Sequence, residues 1–226
     1  MPDIVLIHSP LVGPTSLAPT QKALERAGHI CHLPTAYAAG AEIPPWRDWP
    51  DRLAEALPEM DRPVIAGHSM GGLLAARLAA DLNASGMICL DAAIPPDSGT
   101  VLPVEPTFRA FLDTLPVQDG VLPPWNDWWT VDIFEGGDVS DAEKETFLAD
   151  IPALRRDWFD DSFAMPDWSR AKRTYLRTSL SFVEEARRAG SLGWPVIRLK
   201  GTHLHPFAEP EETADAILQC RAAMGL

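Results

Sequence analysis

The sequence predicts an α/β fold: a mostly parallel sheet flanked by helices, with an inserted, mainly helical cap. Three observations carry this. Short aliphatic, β-branched runs alternate with stretches at helical spacing, the alternation breaks between Asp97 and Trp168, and it resumes from Arg173 onward. At 226 residues and 46% hydrophobic composition, the chain can bury one continuous core without disulfides or metals. The expected organisation is a single domain over 1–226, with a core of 1–96 and 169–226 and a cap of about 97–168.

The first strand is expected at Ile4-Val5-Leu6-Ile7, an apolar run closed by a Pro/Gly-rich loop through Pro14. Helical spacing from Ser16 to Ala27 stops at Gly28, and Ile30 to Leu33 reads as a second strand ended by Pro34. The rhythm repeats with a helix over Trp49 to Glu59, a strand at Pro63 to Ala66, a helix from Met70 to Leu82 and a strand at Met87 to Leu90. Such alternation implies parallel strands joined by helical crossovers.

The segment from Asp97 to Trp168 differs in character. It holds 16 acidic and 4 basic residues, so it carries −12 of the net −13, along with Trp125, Trp128, Trp129, Trp158 and Trp168. Helices are expected near Thr107 to Leu115 and Asp141 to Leu154, the latter capped by Ser140 with Glu143 three residues on. Strand signals are scarce there. The core pattern returns with a strand at Arg173 to Arg177, a helix over Phe182 to Ala189, a strand at Val196 to Leu199 and a last helix opened by Pro210.

Charge and cysteine content narrow the partners. A net charge of −13 repels phosphate backbones and anionic lipid surfaces, which argues against nucleic acid and membrane. Cys31, Cys89 and Cys220 are odd in number and sit in apolar or helical contexts, as buried reduced thiols do. The N-terminal segment lacks the basic start and apolar core of a signal peptide, and no stretch is long and apolar enough to span a bilayer. A cytoplasmic protein is expected.

The strongest chemical signal is Gly67-His68-Ser69-Met70-Gly71-Gly72, set directly between an expected strand and an expected helix. A serine on so tight a turn needs small neighbours for strand and helix to approach, and Gly67 and Gly71 provide them. The turn lifts the Ser69 hydroxyl above the sheet, with the helix N-terminus and the Met70 N–H below a developing oxyanion. His68 should point away, into packing. A serine hydroxyl needs an imidazole to take its proton. Among the six histidines, His203 follows the carboxyl end of the last strand, the rim where ligand sites collect, and His205 is its competitor. No further spacing supports a metal site.

Together, the Gly-His-Ser-Met-Gly-Gly turn, the inserted cap and the terminal Gly201-Thr202-His203-Leu204-His205-Pro206-Phe207-Ala208-Glu209-Pro210 motif resemble the α/β-hydrolase superfamily, specifically its small esterase and hydroxynitrile-lyase-like branch. In that family the histidine stands seven residues before the proline opening the last helix, a register that implies His203 as base rather than His205.

Two positions depart from the family pattern. The loop after the first strand usually reads His-Gly, followed by an N–H that completes the oxyanion hole. Here it reads His8-Ser9-Pro10-Leu11, and Pro10 has no N–H. Either Leu11 donates, or the Ser9 hydroxyl assists Met70, or oxyanion chemistry is reduced. Loss of one donor costs about 3 kcal/mol of transition-state stabilisation. The second departure is the acid. Thr178 to Phe182, where the family's carboxylate usually lies, contains none, whereas Asp91 ends the preceding core strand, a position some lipases of the superfamily use. Asp97, Glu184 and Glu185 are its rivals, and a structural role in the Ala92-Ala93 turn is the alternative for Asp91 itself.

The expected function is serine hydrolysis of a carboxylic ester, lactone or related neutral acyl compound through an acyl-enzyme on Ser69, with His203 and Asp91. The alternatives are a cofactor-free lyase using His203 as proton shuttle, and a ligand-binding protein with little turnover. No cofactor and no metal are expected, a small-molecule acyl substrate is the partner, and a homodimer is left open. Trp125, Trp128 and Trp129 either line the pocket or anchor the cap on the sheet.

Overall fold

The four apolar residues Ile4–Ile7 form β1, and all are buried because helices cover both faces of the sheet it joins. Their alternation sorts them. Val5 and Ile7 face one half of the core, while Ile4 and Leu6 face the other. The computed structural model describes residues 2–38 and 40–226. Met1 and Ala39, both within the domain expected over 1–226, lie outside the described residues.

Helix α1 (Ala18–Arg26) ends as expected, with Gly28 at φ +87° just beyond it, and leads to the two-residue β2 (Cys31–His32). Then come α2 (Trp49–Glu55), β3 (Val64–His68), α3 (Gly71–Asp81) and β4 (Gly86–Leu90). The cap contains β5 (Gly99–Val101), α4 (Pro106–Leu112), α5 (Asp141–Ala149) and β6 (Phe163–Met165). The core resumes with β7 (Lys172–Arg177), α6 (Val183–Ser191), β8 (Val196–Arg198), the short α7 (His205–Ala208) and α8 (Pro210–Ala223).

The six-stranded sheet has the order β2-β1-β3-β4-β7-β8, and every neighbouring pair is parallel. Chain order reverses between β1 and β3, which opens a crevice beyond their carboxyl ends. The register pairs His68 with Leu90, so the residues that follow, Ser69 and Asp91, leave the sheet side by side. Helices α1 and α8 pack on one face, and α2, α3 and α6 on the other together with the cap.

Several expectations are corrected. The cap is mainly helical as expected, with one addition: β5 and β6 pair antiparallel, Gly99 with Met165 through Val101 with Phe163. Three-residue strands are too short to leave a periodic signal. Helix α2 stops at Glu55 rather than Glu59, and α5 stops at Ala149 rather than Leu154; Pro58 and Pro152 lie just beyond, and a proline disfavours helix at the residue before it. Strand β3 runs on through Gly67 and His68, which pair with Cys89 and Leu90, so α3 begins at Gly71. The capping box of Ser140 and Glu143 forms as expected.

Buried indoles pin the cap. The Trp168 N–H donates to the Pro96 carbonyl at 2.9 Å, joining the two ends of the insertion, and the Arg173 guanidinium lies over the Trp168 ring at 4.1 Å. Trp46 donates to the Val101 carbonyl on β5, and Trp158 to that of Pro44. Trp168 is 1% exposed, so Trp168→Ala should cost about 3–5 kcal/mol and lower the urea midpoint accordingly. Trp168→Phe, which removes the N–H and one ring but keeps an aromatic side chain, should cost less, about 1–3 kcal/mol. Urea unfolding of the two variants in parallel checks the ordering.

Candidate active site

Between the end of β3 and the start of α3 the chain turns on Ser69, which adopts φ +56°, a left-handed conformation uncommon outside glycine. The glycines around it are sterically required. A Cβ on Gly67 would overlap the Gly71 carbonyl and sit 2.6 Å from the Ala75 Cβ, and one on Gly71 would overlap the Ile7 carbonyl and sit 2.7 Å from that of His8. The turn therefore packs directly against the loop after β1. Ser69 is held by its own N–H, which donates to the Leu90 carbonyl at 3.1 Å.

Asp91 leaves β4 at φ +44° and is fully buried. Its N–H donates to the Leu176 carbonyl at 2.7 Å, and the Tyr175 hydroxyl clamps the next residue, donating to the Ala92 carbonyl at 2.6 Å. Four donors meet the carboxylate. Oδ1 accepts the N–H groups of Thr178 (2.9 Å) and Ser179 (3.0 Å), and Oδ2 accepts the Ser179 hydroxyl (2.6 Å) and lies 2.8 Å from His203 Nδ1. Burial pushes the Asp91 pKa up, but the His203 bond and charge and the Ser179 bonds outweigh it and hold the group at about 2. It is a carboxylate at neutral pH.

His203 is fixed from several sides. Beyond the bond to Asp91, its ring stacks on Phe182 with centroids 5.2 Å apart and lies 4.6 Å from the ring of His68. His68 Nε2 is 2.9 Å from the His203 carbonyl and donates to it as the neutral tautomer, leaving Nδ1 without a partner. His68 thus does more than fill the core, the role the sequence suggested. His205 is buried at the start of α7, and its Nε2 lies 3.1 Å from a Glu212 carboxylate oxygen without hydrogen-bond alignment.

The loop after β1 is a tight turn in which the Val12 N–H donates to the Ser9 carbonyl at 3.1 Å. His8 Nδ1 lies 3.0 Å from the carbonyls of both Ser9 and Val12. Pro10 sits buried in this turn, and the Leu11 N–H donates to Ser9 Oγ at 3.3 Å. Among the described residues, no protein acceptor takes the Met70 N–H. Ser9, Leu11, Ser69, His203 and Trp125 all line one small cavity of about 10 Å³. Beside it opens a cleft of about 550 Å³ walled by Leu11, Ser69, Met70, Leu73, Phe108 and Phe182.

The structure brings Ser69, His203, Met70, Leu11, Ser9 and Trp125 together around these cavities, with Asp91 behind His203. It does not bring Trp128 and Trp129 to either cavity. Trp128 is buried against Phe159 and donates to the Pro123 carbonyl, and the exposed Trp129 stacks on Phe111, so these contacts of both lie within the cap itself. Of the rivals to Asp91, Glu185 accepts the Ile94 N–H at 3.3 Å, Glu184 pairs with Arg187, and Asp97 pairs with Arg173. Sequence reasoning missed Thr178, Ser179 and Phe182 as His203 and Asp91 contacts. The one available signal was the run of short polar residues where a carboxylate was sought. Among the described residues, no group of three or more His, Cys, Asp or Glu is placed to hold a metal ion.

The profile of the alpha/beta hydrolase family matches residues 4–216. The chain belongs to that family. Its fold is shared by tomato methylketone synthase I in complex with 2-tridecanone, at 14% identity and a TM-score of 0.74, over 98% of each chain. A pyrethroid hydrolase is similar at 22% identity and a TM-score of 0.71, over 100% of this chain and 99% of that one. A histidine-to-alanine mutant of polyneuridine aldehyde esterase is similar at 19% identity and a TM-score of 0.70, over 96% and 98%. No curated protein matches the chain at the level of sequence.

The buried histidines give this member of the family a testable acid sensitivity. Burial, and then the charge of His203, lower the His68 pKa from 6.5 to about 3. The unfolded chain protonates His68 near 6.5 and the folded chain resists until about 3, so the stability its neutral form confers is complete above about 6.5 and is lost as pH falls toward 3. His8, also lowered chiefly by burial, adds to the same slope. His68→Gln, which keeps a donor for the His203 carbonyl, should reduce the dependence of stability on pH across that range by about one proton. Urea midpoints across that range measure it, and an unchanged slope contradicts the assignment.

Proposed function

We propose that the protein hydrolyses a carboxylic ester, lactone or related neutral acyl compound through an acyl-enzyme on Ser69. The observation that carries this is the 2.8 Å contact of His203 Nδ1 with the buried Asp91 carboxylate, beside an elbow serine that lines the same small cavity as His203. In this reading Asp91 holds the Nδ1–H tautomer, leaving Nε2 to take the Ser69 proton. Ser69 Oγ attacks the acyl carbonyl, and the His203 imidazolium returns the proton to the leaving alkoxide as the C–O bond breaks. Water, deprotonated by His203, then attacks the acyl-enzyme, and the proton passes back to Ser69 as the acid is released.

The tetrahedral oxyanion would receive the Met70 N–H from the start of α3. Pro10 withholds the usual second backbone donor, and the Leu11 N–H is turned toward Ser9 Oγ. The Ser9 hydroxyl, with its own hydrogen uncommitted among the described residues and its oxygen polarised by Leu11, is the second donor in this reading. The apolar walls from Leu11, Leu73, Phe108 and Phe182 suit an uncharged acyl group, and the −12 of the cap disfavours an anionic one. Cys31, Cys89 and Cys220 are all free and buried, and burial raises their thiol pKa values, to about 12 for Cys31 and Cys220. Unreactive, unpaired thiols fit a cytoplasmic setting.

The engaged Leu11 N–H favours one second reading, a lyase that uses His203 as proton shuttle and asks less of the oxyanion hole. Two experiments separate them. A fluorophosphonate should add one equivalent to the parent and none to Ser69→Ala by intact mass, and short-chain chromogenic ester turnover should fall by about 10³-fold or more in Ser69→Ala. Labelling that survives Ser69→Ala would sink the acyl-enzyme, and an inert parent would favour the lyase. Asp91→Asn should lower acylation by up to about 10⁴-fold, and His203→Ala should lower it far more than His205→Ala. Ser9→Ala should cut kcat by about 10-fold to 10²-fold with little change in KM, whereas an unaltered kcat would exclude its hydroxyl from the oxyanion hole.

A further inference from the structure

Further along the same sheet edge lies a third cavity, of about 410 Å³, between the segments that follow β7 and β8 and the Gly136 turn of the cap. Arg177, Thr178, Lys200 and Thr202 line it, and among the described residues no Asp or Glu does. In a chain of 32 acidic and 19 basic residues, a cavity with two cations and no carboxylate is a reversal of the average surface.

The polar groups here are also unfinished. Arg177, half-buried at the end of β7, has its Nε shielded from solvent and without an acceptor. It makes no ion pair and no side-chain hydrogen bond among the described residues. Thr178 is 1% exposed, and its Oγ1 is likewise buried and unpartnered, while its N–H is already given to Asp91. Burying a guanidinium N–H without an acceptor is costly, and the rest of the Arg177 guanidinium, also without a protein acceptor among the described residues, belongs to a residue that lines the cavity, where an acceptor-rich group can meet it. Lys200, exposed, adds a second positive charge. Asp91 lies behind Thr178, but its charge is met by His203 and by the N–H groups of Thr178 and Ser179.

We propose that this cavity is an anion site that takes a small phosphate-type oxyanion, gripped by the Arg177 guanidinium, with Lys200 as the outer charge. Two cationic side chains with several N–H donors suit an anion with several acceptor oxygens, and guanidinium geometry matches phosphate in particular. The volume exceeds that of a bare phosphate and leaves room for an organic substituent, so a phosphomonoester also fits.

Inorganic phosphate titrated into the intact chain at constant ionic strength tests this, read by the amide NMR shifts of Thr178 and Gly201 and by Tm. Saturable shifts and a rise in Tm are expected for the parent. Arg177→Met should weaken the apparent Kd by about tenfold or more, and Lys200→Met by less, since its charge is exposed. A Tm rise equal in parent and variants, without saturable shifts, would be a general salting effect and overturns the proposal. Shifts with acetate but none with phosphate overturn the ligand class. Should Arg177→Met fail to fold, Lys200→Met at its exposed position carries the comparison.

Discussion

Four hydrogen bonds converge on the buried Asp91 carboxylate, and the arrangement of the sheet edge depends on them. A carboxylate removed from water is strongly disfavoured unless its oxygens are met by donors, so the segments after β7 and β8 must both come to it. Thr178 and Ser179 bring two N–H groups and a hydroxyl, and His203 brings a ring nitrogen. The Tyr175 hydroxyl locks the turn at Ala92 from the neighbouring strand. The result ties β4, β7 and β8 together at the carboxyl edge and leaves the His203 ring with one free nitrogen, held between Phe182 and His68.

The same edge is organised from the other side by close backbone approach. Gly67 lets α3 approach the end of β3, Gly71 lets α3 meet the loop after β1, and between them Ser69 sits in a left-handed conformation. His68, next in chain to Ser69, reaches across to the His203 carbonyl. The two neighbours on one turn therefore divide the work: Ser69 faces the cavity, and His68 positions the loop that carries the imidazole. The cap closes over this edge through buried indoles, with Trp168 joining its two ends and Trp46 tying β5 to the segment before α2.

What was legible in the sequence follows the range of each interaction. The elbow at Ser69 was legible because its causes are local: a buried strand, small residues and a helix start within a few positions. His203 was legible through its register to Pro210, and Asp91 through the absence of a carboxylate from Thr178 to Phe182 together with its place at the end of the strand beside the elbow. The parts that were not legible arise from long-range contacts. Thr178 and Ser179 read as loop polar residues until β4 and β7 are seen side by side, and His68 reads as filler until the loop after β8 folds onto it. The β5–β6 pairing joins residues some sixty positions apart through strands too short for periodicity, and Trp128 and Trp129 carry no mark that distinguishes anchoring from lining.

In the proposed reading, the loop after β1 has to make up for a missing backbone donor. Pro10 removes one N–H, and the tight turn around it directs the next, that of Leu11, to Ser9 Oγ rather than outward. A hydroxyl that accepts such a bond can still donate its own hydrogen, and acceptance polarises it in the direction that strengthens donation. The turn itself is braced by His8 Nδ1 between two carbonyls, with the ring buried and its pKa lowered chiefly by burial, so the brace is a neutral donor at physiological pH. A rotatable hydroxyl is less pre-organised than a peptide N–H, and reorienting it costs part of the stabilisation a fixed dipole would supply. In the proposed reading the geometry trades a rigid donor for an adjustable one, which suits activated acyl groups, whose transition states ask least of the oxyanion hole.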